Sequence, residues 1–176
     1  MGSKKTRYRL KLNQKKAAAK IIGLKDISFE NFPDQQFDTV PLLTIVKTIE
    51  AHIKKIKPHT IYTHHRGDLN KDHRICFEAV MTACRPIGTH TVKEIYSFEC
   101  LSSTEWSEEK TFNPNVFVDV SKTIDTKVKA LAAYKSEMRP YPHPRSVKGA
   151  EILAEYRGLT ISTKHAEAFE LVRTIV

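Results

Sequence analysis

Apolar residues recur along this chain at two spacings, and the switches between them outline alternating helices and strands. Residues 7 to 22 read as a helix, basic on one face and apolar on the other, with Gly23 where a helix C-cap belongs. Ile27 to Phe32 alternates and carries aromatic residues, which predicts a strand, and Pro33-Asp34-Gln35-Gln36 reads as a loop. Pro41 opens a second helix, as suits proline in a first turn, and Leu42, Ile45, Val46, Ile49 and Ile53 recur at helical spacing until Pro58 stops it. His59 to Thr63 is a short strand. A third helix runs from near Asp72 to Arg85; its apolar positions cover most of its circumference, so it is expected to be buried. Strands follow at Val92 to Phe98 and Val116 to Val120, then a helix from Thr123 to Glu137. Arg139-Pro140-Tyr141-Pro142-His143-Pro144 predicts an extended loop, because each proline biases its predecessor away from helix. Helical stretches near Ser146 to Tyr156 and Lys164 to Thr174 complete the chain.

Alternation of this kind with short loops predicts an α/β layer fold, a three-layer sandwich with a mainly parallel, Rossmann-like sheet. In such sheets sites form at the C-terminal ends of strands. The segment after Thr63 lies at one such end, as do Phe32-Pro33-Asp34 and Glu99-Cys100-Leu101-Ser102. The 176 residues suit one domain over 1–176, and 40% hydrophobic content is enough for a core. No apolar stretch is long enough to span a membrane and no signal peptide opens the chain, so a cytoplasmic setting is expected. Cys76, Cys84 and Cys100 are odd in number and form no C-x-x-C, which argues against a disulfide framework or a zinc knot. Cys76 and Cys84 share one apolar helix and read as core residues. The net charge of +9 favours anionic partners. Its lysines and arginines are scattered, so a nucleic-acid binder is only a third, subordinate reading.

The densest chemistry sits in Thr63-His64-His65-Arg66-Gly67-Asp68-Leu69-Asn70-Lys71-Asp72-His73-Arg74, on a loop between a strand and a helix. His73 falls in the first helical turn, where the helix dipole disfavours protonated imidazole. A metal ligand must be neutral imidazole, so the placement suits one. Asp72 or Asn70 can cap the helix. Asp72 or Asp68 can hold the far ring nitrogen of a ligating histidine. The plain alternative is a surface histidine beside a capping aspartate.

The string His64-His65-x-Gly67-Asp68-Leu69-Asn70-x-Asp72-His73-Arg74 resembles the second metal motif of the LmbE/PIG-L zinc-dependent N-deacetylases. Other segments match the same family: Phe32-Pro33-Asp34-x-x-Phe37-Asp38 upstream, and Phe98-Glu99-x-x-Ser102-Ser103-Thr104-Glu105-Trp106 and Asn115-Val116-Phe117-Val118-Asp119 downstream. Tyr134-x-Ser136-Glu137-Met138-Arg139, Pro142-His143-Pro144-Arg145-Ser146, Tyr156-Arg157-Gly158 and Ala166-Glu167-Ala168-Phe169-Glu170 continue the match to the end. The resemblance implies hydrolysis of an N-acyl group, usually acetyl on an amino sugar or sugar conjugate. It implies zinc held by a histidine and an aspartate of an early Ala-His-Pro-Asp-Asp motif and by a later histidine, here His73. The first of the paired aspartates acts as general base on the metal-bound water.

Carried onto this chain, Asp72 precedes the ligand as in the family. Asn70 occupies a position where some members place a catalytic histidine. An asparagine can donate to an oxyanion but cannot act as an acid, and His143 or His65 is the candidate for that role. Asp34, Asp38, Asp68, Ser103, Glu105 and Trp106 are expected at a substrate rim, where carboxylates and hydroxyls bind sugar hydroxyls and Trp stacks on a sugar face. Turn formation by the acids and core packing of Trp106 are equally good accounts.

Ala-His-Pro-Asp-Asp does not occur in the sequence. The first strand, two zinc ligands and the general base of the family are therefore expected to be missing, and one imidazole leaves the zinc site incomplete. Two readings follow. One is a truncated deacetylase domain, inactive as this chain, whose partner is a small N-acetylated sugar. The other is a non-catalytic remnant that serves as a binding or oligomerisation module.

Overall fold

The computed structural model describes residues 4–88 and 91–176. The elements are α1 (Lys4–Ile22), a 3-10 turn (Phe37–Thr39), α2 (Leu42–Ile56), β1 (Thr60–His64), α3 (Lys71–Ala83), β2 (Glu94–Phe98), β3 (Val116–Asp119), α4 (Ile124–Ala132), α5 (Val147–Thr160) and β4 (Ala166–Thr174). The fold is mixed α/β: a four-stranded sheet in the order β1-β2-β4-β3, flanked by helices. The chain divides into two compact units, one from segments 1–30 and 118–167, the other from 31–117 and 168–176.

In the second unit β1 pairs parallel with β2, setting His64 opposite Phe98. β2 pairs antiparallel with β4. The ladder between β4 and β3 is antiparallel as well, running from Asn115 N–H on the Phe169 carbonyl to Val120 N–H on the His165 carbonyl. The sheet is thus mostly antiparallel, where the alternation of elements predicted a mainly parallel one. The cause is the last segment. Residues 166–174 carry two Ala and two Glu and were expected to be helical, but they form the strand inserted between β2 and β3. Helix propensity is a weak preference, and pairing along both edges of a strand overrides it.

Ile27 to Phe32, expected as a strand, joins no ladder. Phe32 instead meets Phe37 edge-to-face at 5.7 Å and packs on the cluster of Ile45, Val46 and Ala79 between α2 and α3. A second cluster, Val80, Cys84, Val92 and Ile95, seats α3 on the sheet, with Ile49, Ile53 and Ile61 against it. Cys84 is buried and Cys76 partly buried in this core, as expected.

The first unit holds α1, α4 and α5, and its buried residues are mostly small: Ala18, Ala19, Ile124, Ala130, Ala150 and Ala154. Gly23 ends α1 at φ +80°, with Leu24 N–H returning to the Ala19 carbonyl at 3.0 Å. Such a turn favours a residue without Cβ.

Gly158 is needed for space. A Cβ there would stand 2.5 Å from the Thr163 carbonyl oxygen and 3.0 Å from His165 N, in the turn that leads into β4. Gly158→Ala gains roughly 1 kcal/mol of helix propensity and forces backbone apart at a cost of about 1–3 kcal/mol. The expected outcome of thermal unfolding is a net loss, with Tm lowered by a few degrees. A raised Tm would mean that the turn yields freely.

Candidate metal and catalytic site

The end of β1, the loop after it and the first turn of α3 place His64, His65, Asp68, Asn70, Asp72 and His73 together, at the C-terminal end of the strand as the patterning predicted. The segment after β2 closes over them. Because β1 and β2 run parallel in register, that segment emerges at the same end, carrying Cys100, Ser103 and Thr104.

Asp68 organises the loop and is completely buried. Its carboxylate accepts from Thr104 Oγ1 at 2.8 Å, from Asn70 N–H at 2.9 Å and from the Ser103 hydroxyl, and it lies 3.1 Å from His73 Nδ1. Burial pushes its pKa up. Hydrogen bonds from His73, Ser103, Asn70 and Thr104 outweigh that and hold it at about 2. Of the two aspartates considered for the far nitrogen of His73, Asp68 is the one that holds it.

Asn70 is the cap of α3, its side-chain oxygen accepting from Asp72 N–H at 2.9 Å. The cap occupies the amide oxygen and not the amide NH2, the group an oxyanion would need. Asp72 turns the other way and accepts from Gln35 N–H at 2.7 Å and Phe37 N–H at 3.0 Å, anchoring the loop ahead of α2.

His65 is buried, and both ring nitrogens face structural partners. Gly67 N–H donates to Nδ1 at 3.1 Å, and Nε2 lies 3.1 Å from the Glu170 carboxylate on β4. An accepting Nδ1 requires the proton on Nε2, so the ring is neutral. Burial keeps its pKa below the usual value despite the opposing charge of Glu170.

The rim expectations are dispersed. Asp38 is exposed and pairs with Lys71 at 3.0 Å. Glu105 accepts from Ser102 N–H at 2.5 Å and Ser103 N–H at 3.2 Å, so its carboxylate closes a turn. Asp34 is exposed and Trp106 is half-exposed. The hydroxyl of Ser103 is committed to Asp68. His143 belongs to the other compact unit, where its Nδ1 accepts from Arg145 N–H at 3.1 Å.

His64 and Cys100 were given no metal role by the sequence. The His64 ring stacks on that of His73 with centroids 4.0 Å apart. One donor atom each of His64, His73 and Cys100 lies within 4.8 Å of the others. Burial first, and the neighbouring His73 second, lower the pKa of His64 to about 4, against a weaker pull from Asp68. The ring is therefore neutral at physiological pH and in its ligand form. Its Nδ1 is buried and has no hydrogen-bond partner among the described residues. The Cys100 thiol is pushed up to about 12, by burial and then by Asp68, Glu105 and Glu99. Two imidazoles and a sulfur, with a carboxylate behind one imidazole, fit a zinc-class cation. The expected single ligand, His73, thus has two further donors beside it.

The model of the PIG-L family, GlcNAc-PI de-N-acetylase, matches residues 2–84, which include the whole loop from His64 to Arg74. Over that stretch, just under half of the chain, the sequence is similar to PIG-L proteins. No curated protein sequence matches it. Among solved structures, a conserved protein from Thermus thermophilus is similar at a TM-score of 0.75 and 19% identity, covering 99% of this chain and 76% of that one. The N,N'-diacetylchitobiose deacetylase of Pyrococcus horikoshii follows at 0.70 and 18%, covering 94% and 64%. A zinc-inhibited form of teicoplanin deacetylase gives 0.56 and 16%, covering 86% and 59%. The chain spans less than two thirds of the two deacetylases, and at these identities the likeness is one of fold. Among the described residues, no helix is long and apolar enough to cross a membrane.

Proposed function

We propose that the chain serves hydrolysis of an N-acetyl group on an amino sugar or sugar conjugate, with a zinc ion held in part by His73. The observation that carries the reading is the fixed orientation of His73. The Asp68 carboxylate holds Nδ1 at 3.1 Å, which leaves Nε2 as the coordinating atom. A carboxylate behind a ligating imidazole sets its tautomer and raises its basicity. When bound, zinc supplies a water of lowered pKa and polarises the amide carbonyl. Asn70, one turn from His73, offers an amide N–H to the oxyanion, and Trp106 offers an exposed ring to a sugar face.

General-base work falls outside these groups. A base needs a pKa near the working pH. Asp68 is held at about 2 with its oxygens already engaged, and the Glu105 carboxylate closes a turn. The paired aspartates that the family uses are not in the sequence. The 176-residue chain alone is therefore expected to release no acetate from N-acetylglucosamine.

The test fuses a segment carrying Ala-His-Pro-Asp-Asp ahead of Met1 and follows acetate release and metal content together. Hydrolysis should return. In the fusion, His73→Ala should lose both metal and turnover, while Asn70→Ala should lose turnover by about 100-fold with metal retained. Full zinc and full turnover in His73→Ala would overturn the reading. Failure of any fusion to turn over would favour the non-catalytic module.

A further inference from the structure

We propose that His64, His73 and Cys100 form one metal centre of their own, a His2Cys set that binds a single zinc-class divalent cation without any residue from outside this chain. The proposal rests on the deacetylase reading only for the expectation that His73 faces a metal. Its other two ligands, His64 and Cys100, are not the histidine and aspartate that the family resemblance implies.

Four observations carry it. First, the three donor atoms already lie within 4.8 Å of one another. Tetrahedral zinc with bonds of about 2.0–2.3 Å needs ligand atoms roughly 3.5 Å apart. The His64 and His73 rings are stacked nearly parallel, 19° apart, so binding one ion also turns at least one ring to bring both in-plane lone pairs onto it. Second, the donors come from three different elements brought to one end of the sheet: the last residue of β1, the first turn of α3 and the turn after β2. Third, the parts are bound to one another. The Thr104 hydroxyl donates to Asp68 at 2.8 Å and accepts from Cys100 N–H at 2.7 Å, while Asp68 holds His73 at 3.1 Å. A single buried carboxylate thus positions the sulfur-bearing turn and one imidazole together. Fourth, His64 Nδ1 is a buried polar atom with no hydrogen-bond partner among the described residues, which coordination would satisfy.

The donor chemistry selects the ion. Two imidazoles and a thiolate suit borderline-soft zinc and exclude magnesium or calcium, which take oxygen ligands. On binding, the Cys100 thiol gives its proton to solvent as the sulfur–metal bond forms, with no change of oxidation state. Three protein ligands leave a fourth position open to water, the arrangement of catalytic rather than structural zinc sites.

The test uses the full 176-residue chain, stripped with a chelator and titrated with cobalt(II), then with zinc. The expected result is one cobalt per chain with a sulfur-to-cobalt charge-transfer band in the near ultraviolet, lost when zinc displaces it. Cys100→Ser should abolish the band and weaken binding by about tenfold or more. His64→Gln should also weaken binding, and Cys76→Ser should leave band and affinity unchanged. Circular dichroism of each metal-free variant checks folding. If Cys100→Ser does not fold, zinc protection of Cys100 against alkylation in the wild-type chain, read by mass spectrometry, replaces it. One cobalt without the band, unchanged affinity in Cys100→Ser, or alkylation of Cys100 at the same rate with zinc would overturn the proposal. Each of those results leaves the deacetylase reading standing through His73. An intact band with no turnover in the fusion would sink the deacetylase reading alone.

Discussion

Asp68→Ala should destabilise the protein by about 3–5 kcal/mol, because several donors that converge on one buried carboxylate lose their acceptor together. The loss has several parts. His73 loses the acceptor for Nδ1, the buried hydroxyls of Ser103 and Thr104 lose theirs, and Asn70 N–H loses its partner in the loop that caps α3. Each buried donor left without an acceptor costs about 1–3 kcal/mol. Asp68→Asn keeps the shape and one acceptor oxygen and removes the charge, so it should cost less than half as much. Against a total stability of roughly 5–15 kcal/mol, the alanine variant should show a much lower urea midpoint at an unchanged m-value. An alanine variant within about 1 kcal/mol of the parent would mean that water replaces the carboxylate, in the sense of bridging hydrogen bonds that match it.

Much of this site was legible because its parts are local. Leu42, Ile45, Val46, Ile49 and Ile53 mark α2 by spacing, and prolines bracket it. The polar loop after β1 announces itself by composition, and His73 falls in the first turn of α3 because a capping residue stands three positions before it. Which aspartate supports His73 was open in the sequence. Asp68 and Asp72 have the same chemistry, and only the path of the loop turns one inward and the other toward Gln35 and Phe37.

The illegible parts are non-local. Cys100 gains its place beside His64 through the parallel register of β1 and β2, more than thirty residues apart in sequence. The position of Cys100 just past a strand end is the available signal, since Glu99-Cys100-Leu101-Ser102 follows a predicted strand. The larger failure was β4. Its helix-prone composition hid both the antiparallel centre of the sheet and the partner of His65. Asp34, Asp38 and Glu105 illustrate a different limit: an acidic residue near a site in sequence serves a turn, a surface ion pair or a substrate equally well.

Glu170 joins these themes. Its carboxylate faces His65 Nε2 at 3.1 Å, accepts from Asn113 N–H, and lies 3.5 Å from the Ser97 hydroxyl. The accepting Nδ1 of His65 fixes the proton on Nε2, so the contact is a close approach of a neutral ring to a carboxylate, without the alignment of a formed hydrogen bond. Glu170→Ala should cost about 1–3 kcal/mol, because Asn113 N–H loses its acceptor and the buried His65 ring loses the carboxylate it faces. Glu170→Gln, which still offers an acceptor oxygen, should cost about 1 kcal/mol. Combining Glu170→Ala with His65→Ala in a double-mutant cycle should give a coupling of about 1–3 kcal/mol. The cycle separates this contact from the other bonds of Glu170, since those to Asn113 and Ser97 are lost in both arms. Additive effects would show that β4 and the metal-side loop are stabilised independently. The site would then owe its geometry to Asp68 and the β1–β2 register alone.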